Sequence, residues 1–236
     1  MALTKVSGNL IADNAVGLSQ LAGGTDGNLI TFDASGNPSH VPTGTATHVL
    51  TSNGAGAAPT FQVISQTSGA VLEEVALLCN GTSQTVSSGT YTSQNVTGVQ
   101  DLDNTFTDVT GSSIAYTPPA GTTRVVYTLS VHFSYAAAVS ISSIKTFLDS
   151  DEVTSARQQV SSGYTEGVNH LKWVFKIGGS ADTATGRVAS WDSAKTIKLQ
   201  AREHSGNPQK MHVTTNWDST TSAQLRLPIL NIKAIK

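Results

Sequence analysis

Alternation of apolar and polar residues dominates the later part of the chain. In TRVVYTLSVHFSY, Val125, Tyr127, Leu129, Val131, Phe133 and Tyr135 share one face, while Thr128, Ser130, His132 and Ser134 share the other. That is the period of a half-buried strand. HLKWVFKIGG repeats it, with Leu171, Trp173, Phe175 and Ile177 inward and Lys172 and Lys176 outward; Trp173 is read as core. KTIKLQAREH groups Ile197, Leu199 and Ala201, and SAQLRLPILNIKAI groups Leu225, Leu227 and Ile229, with Pro228 marking an edge or bulge. Further strands are predicted over 84–86, 90–96, 106–109, 112–116, 141–148, 156–160, 187–191 and 211–216, separated by turn signals such as TPPAG, SSG, GGSADTATG and SGNP. About ten short antiparallel strands over 81–236 predict an all-β fold, a jelly-roll-like β-sandwich.

The earlier pattern is sparser and periodic. Placing Gly24-Thr25 over Gly44-Thr45 aligns Leu29-Ile30-Thr31 with Val49-Leu50-Thr51, Asp33 with Asn53 and Gly36 with Gly56; Pro38 and Pro59 then differ by one further residue. Each unit reads as a short strand followed by an Asp/Asn-Gly-Pro turn, and neither holds enough apolar surface to stand alone. A flexible Gly/Ser/Thr linker is the alternative, but a linker needs no regularly placed apolar pairs. Between repeat and sandwich, VISQTSGAVLEEVALLCN sets Ile64, Val71, Val75 and Leu78 at heptad d, d, a and d, with Ser68 at the intervening a. A short helical neck over 63–80 and an ordinary strand or surface helix packed on the next domain are equally compatible with that spacing. The boundaries that result are an extended attachment segment over 1–23, a β-repeat shaft over 24–62, a neck over 63–80 and a sandwich over 81–236.

LAGGTDGNLITFDASGNP followed by TGTATHVLTSNGAGAAPTFQ resembles the repeat of tail-fibre and related fibre proteins of tailed bacteriophages. The resemblance covers residues 21–62, with the preceding NLIADNAVGLSQ in keeping. It implies a homotrimeric, intertwined shaft carried on a virion, with Leu29, Ile30, Val49 and Leu50, and then Ile64, Val71, Val75 and Leu78, as contacts between chains. SSIAYTPPAGTTRVVYTLSVHFS, residues 112–134, resembles in pattern the trimeric C1q/TNF-like heads of some phage fibres. Together the two imply a trimeric head behind a trimeric shaft, attached to phage tail or capsid proteins through its N-terminal segment and facing a host surface glycan or outer-membrane protein. A capsid head fibre or decoration protein would have the same architecture.

Composition supports an exposed β-protein. Charged residues make up 13% of the 236 against a usual share of about 25%, so neutral polar groups must form much of the surface. Before Arg124 the chain has one base, Lys5, and eight acids; thereafter it has thirteen bases and eight acids. The later region mildly suits anionic partners, but the excess is too small to predict nucleic-acid binding. A lone cysteine, Cys79, excludes an intrachain disulfide and a Cys-rich metal site and reads as a small buried hydrophobe. MALTKVSGNLIADNAVG lacks the apolar core of a signal peptide and no run is long enough to span a membrane; the expectation is a chain made in the cytoplasm that leaves it inside a virus particle.

No enzyme fingerprint is present. The six histidines, His40, His48, His132, His170, His204 and His212, lack metal-ligand spacing, and HExxH, CxxC, GxSxG, Walker and dinucleotide motifs are missing. Asp101-Leu-Asp103-Asn104 and Asp149-Ser-Asp151-Glu152 place carboxylates close enough to collect Ca2+ or to serve as acid and base on a glycan, although solvated loops have the same composition. A polysaccharide depolymerase is therefore a rival from another class, and a cellular adhesin or lectin a third. The expectation is a non-enzymatic binding protein without cofactor or metal. Trp191-Asp192 and Trp217-Asp218 set an indole beside a carboxylate, the pairing that stacks on a sugar while accepting its hydroxyls; the competing reading makes both indoles caps of the core. Tyr164, Glu166, Arg202, Glu203 and His204 are the remaining candidates for receptor contact.

Overall fold

The computed structural model describes residues 25–36, 38–64, 66–135, 139–163, 166–204, 206, 209–214 and 223–236; the predicted attachment segment lies outside them. The chain divides into two compact units, Met1–Ser65 and Gln66–Lys236.

In the first unit each repeat is a complete hairpin. β1 (Leu29–Phe32) pairs with β2 (Pro38–Val41), and β3 (His48–Thr51) with β4 (Thr60–Val63). The strand after each turn was not resolved in the sequence reading. The Asp/Asn signal works through its side chain: Asp33 accepts the backbone N–H of Ser35 at 2.9 Å, and the Asn53 amide donates to the Ala58 carbonyl at 2.7 Å. Gly36 and Gly56 sit at φ +80° and +78°, where a β-carbon would be strained. Val41 is buried here, whereas Leu29, Ile30, Phe32, Val49, Leu50 and Val63 are exposed on the single chain.

The second unit is a sandwich of two six-stranded sheets, with no α-helix among the described residues. β11 (Arg124–Tyr135) is the spine of one sheet. Its first ten residues pair with β15 (Gly167–Lys176), and the opposite edge pairs with β20 (Ile229–Ile235) and then β17 (Gln209–Met211). β5 (Val71–Leu78) extends this sheet beyond β20, and β8 (Gln100–Leu102) extends it beyond β17. The other sheet is built on β16 (Lys195–Glu203) and β12 (Val139–Leu148). β9 (Thr107–Asp108) and β10 (Ile114–Tyr116) flank β16, while β13 (Asp151–Glu152) and β14 (Gln158–Gly163) flank β12. The alternating faces meet in one core, with Tyr127, Leu129, Phe133, Phe175, Leu230 and Ile232 from the first sheet and Ile144, Ile197 and Leu199 from the second.

One open alternative is settled and two expectations change. Residues 71–78 form a strand and not a helix: Glu73, Val75 and Leu77 are buried while Val71 and Leu78 are exposed, as period 2 requires, and the heptad pattern fails. Val75 is thus a core residue of its own chain. In the last strand the inward residues are Leu230, Ile232 and Ala234, whereas Leu225 and Ile229 are exposed. Leu225 and Ile229 do share a face, but it is the exposed one, because the buried Pro228 is in phase with Leu230, Ile232 and Ala234. Residues 187–191 form no strand, only bridges at Arg187 and Val188.

Candidate functional site

Trp191 is not on the surface. Its indole is 3% exposed, its Nε1 donates to the Tyr116 carbonyl at 2.9 Å, and it meets Phe175 edge-on at 5.9 Å. The core thus supplies the partner its polar edge needs, and a sugar cannot stack there; Asp192 alone of that pair is exposed. Trp173, read as core, is partly buried against it and donates to the Thr185 carbonyl at 3.0 Å. Tyr164, Trp217 and Asp218 lie outside the described residues. Glu166 accepts the hydroxyls of Ser134 at 2.7 Å and Thr214 at 2.8 Å, which makes it a brace between β11 and β18 (Val213–Thr214). Glu203 is buried and accepts the Gly206 N–H at 2.8 Å, while His204 is exposed.

Arg202 belongs to a cleft. The period of β12 and β16 turns Ile144, Leu148, Leu199 and Ala201 into the core and leaves Ser143, Lys145, Lys198, Gln200 and Arg202 on the outer face. Register then sets Ser143 between Arg202 and Gln159. Phe106, just before β9, completes the row: Lys145 Nζ lies 4.5 Å and the Arg202 guanidinium carbon 5.0 Å from its ring centroid, both within cation–π range. These residues, with Arg157 and Gln158, line a cavity of about 650 Å³.

Charge in the cleft is unbalanced. Glu152 accepts Arg157 Nε at 2.6 Å and Lys145 Nζ at 2.9 Å, and these bonds, Arg157 first, hold its carboxyl below the usual value. Arg202 has no acidic partner among the described residues, and its Nε is buried without a hydrogen-bond acceptor. Of the three cations lining the cleft, two share Glu152 and the third, Arg202, has an unmet donor. Of this set, Arg202 was singled out in the sequence as a receptor contact and Glu152 as part of an acidic cluster, whereas Lys145 and Arg157 were not.

In the acidic clusters, Asp149, Asp101 and Asp103 are engaged by neighbouring side chains and backbone. Asp149 accepts Lys195 Nζ at 3.2 Å and the Thr196 N–H at 2.7 Å, Asp101 lies 3.6 Å from Lys210 Nζ, and Asp103 accepts the Thr105 N–H at 2.8 Å. Among the described residues no three His, Cys, Asp or Glu side chains are placed to hold a metal ion, and no helix is long and apolar enough to cross a membrane. The exposed Ile64, Val71 and Leu78 are left uncovered by the single chain.

A buried carboxylate had no sequence signal. Glu73 is 6% exposed and accepts the hydroxyls of Ser87, Ser88 and Tyr116 and the Ser88 N–H. Burial would raise its pKa, but these four bonds outweigh burial and lower it. Every neighbour is a donor already committed to it, so the cluster locks β5 and β10 together. Cys79 is buried, with its thiol pushed up to about 11 by desolvation. His212 is wholly buried with neither ring nitrogen bonded among the described residues, sits at φ +67° and is pushed down to about 4 by burial.

No known protein family matches the sequence, and no curated protein matches it. Among solved structures, the chain is similar to a structure of infectious bursal disease virus Gt strain at 9% identity and a TM-score of 0.34, covering 84% of this chain and 44% of that one. It is similar also to the VP2 subviral particle of infectious bursal disease virus, at 9% identity and a TM-score of 0.33, covering 83% and 46%. The chain spans less than half the length of these two.

Proposed function

We propose that the chain is a virion fibre protein of a tailed bacteriophage, a homotrimer that attaches through residues 1–23, builds its shaft from the two hairpins and presents the sandwich as a head to the host surface. The observation that carries this reading is the apolar surface of the first unit. Ile30 is 56%, Phe32 64% and Val63 68% exposed on a chain with little charge to keep such a surface apart. Repeated hairpins of this kind need neighbours to cover their side chains, and in the proposed trimer those neighbours are the other two chains. The head acts by binding and performs no reaction. Three heads on one shaft convert weak single contacts into avidity, and intertwined chains cover strand edges.

Light scattering on the full chain tests this. The expected native mass is three chains of 24.5 kDa each, with Ile30→Asp together with Leu50→Asp shifting it to a single chain. A monomer at micromolar concentration would remove the shaft and the avidity with it.

A further inference from the structure

We infer that the cleft between Phe106, Lys145, Arg157 and Arg202 is the ligand site of the head, and that it takes an acidic saccharide whose carboxylate is received by Arg202. This deepens, and rests on, the reading of the sandwich as a binding head. Three features of the cleft select the ligand.

The first is charge. Lys145 and Arg157 already share Glu152, so an incoming anion is directed to Arg202, whose buried Nε has no acceptor. A guanidinium offers parallel N–H donors that match a carboxylate. The second is the neutral lining. Ser143, Gln158 and Gln159 supply a hydroxyl and two amides, groups that exchange hydrogen bonds with sugar hydroxyls. The third is the state of the aromatic ring. Phe106 is held by two cations and serves to orient them, which leaves the cleft without the free aromatic face that a nucleic-acid base requires. A volume of about 650 Å³ is within the range of small-ligand sites. Arg202 and Lys145 project from adjacent strands of a sheet, so the site is held on a rigid base.

Titration calorimetry on the full chain at low salt would use three probes: a disaccharide containing glucuronate, the same disaccharide with its carboxyl reduced to an alcohol, and inorganic phosphate. The acidic sugar is expected to bind at least about tenfold more tightly than its neutral counterpart, as a charge-assisted hydrogen bond gives. Arg202→Gln should remove that difference, and Arg157→Gln, at an exposed position that leaves the core intact, should weaken binding by a smaller factor. Lys172→Gln, on β15 of the other sheet, should leave binding unchanged. Equal binding of the two sugars, phosphate binding as tightly as the disaccharide, or an unaltered Arg202→Gln would each overturn the inference. The native mass separates the two readings. A monomer that still prefers the acidic sugar defeats the fibre and keeps the cleft, whereas a trimer blind to the carboxylate keeps the fibre and defeats the cleft.

Discussion

His212 concentrates two unfavourable features in one residue, a left-handed backbone and an imidazole buried with neither nitrogen bonded among the described residues. Such a group folds neutral. Its folded pKa, about 4, lies below the ordinary 6.5, so the unfolded chain binds more protons between those values and stability rises with pH there. The contribution is complete above about pH 6.5 and is lost as pH falls toward 4, on the order of 3 kcal/mol in all. Glu73 adds a second loss at lower pH. Its carboxyl is depressed, so its contribution is present above the ordinary carboxylate pKa and disappears as pH falls through the folded value. Urea unfolding from pH 7 to 4 should therefore show declining stability. His212→Asn, which tolerates the backbone conformation, should flatten the decline whatever it does to stability at pH 7; an unchanged slope would mean that the ring is protonated or solvated in the fold.

At the scale of elements, β5 shows how little separates two periods in a short apolar run. Val71, Val75 and Leu78 satisfy a heptad, yet Glu73, Val75, Leu77 and Cys79 form the buried row. The strand wins because β20 offers a paired edge and the buried row fills the sandwich, while a lone two-turn helix would have nothing to pack on. Leu77 and Leu78 are 2% and 43% exposed. Leu77→Ala should cost about 2–5 kcal/mol in unfolding free energy and Leu78→Ala about 0.5 or less in the isolated chain; comparable losses would restore the helical reading. Long alternating runs gave no such trouble. β11, β15 and β16 were legible with their inward faces because ten or so residues leave only one register of alternation. In β20 the grouping of Leu225 with Ile229 marked the exposed face, since Pro228 opens the buried row that Leu230, Ile232 and Ala234 continue. Trp191 stayed open between sugar platform and core cap because sequence shows an indole beside a carboxylate but not the Tyr116 carbonyl that receives its N–H inside the core. The cleft was legible only at Arg202 and, as part of an acidic cluster, at Glu152, since Lys145 is brought alongside by the pairing of β12 with β16, and Phe106 and Arg157 precede strands that pair on either side.

For the whole molecule, the position of β5 decides where the head begins. A boundary after residue 80 would cut away a strand that pairs along β20 from Leu78 to Val71 and contributes Val75, Leu77 and Cys79 to the core. It would also remove Glu73, leaving Tyr116 buried without its acceptor. Gly69 donates to the Lys236 carbonyl at 2.6 Å and Lys236 to the Ala70 carbonyl at 2.9 Å at the start of β5, and Cys79 donates to the Pro228 carbonyl at 3.0 Å at its end, so the pairing is closed at both ends. Residues 66–236 should accordingly express as a fragment that unfolds in one cooperative transition, while residues 81–236 should be insoluble or molten, exposing the faces of β20 and β10 that β5 covered. Near-ultraviolet circular dichroism with limited proteolysis would separate the two. A folded 81–236 fragment would mean that β5 is an accessory strand, free to pair with another chain, and would return residues 66–80 to the neck.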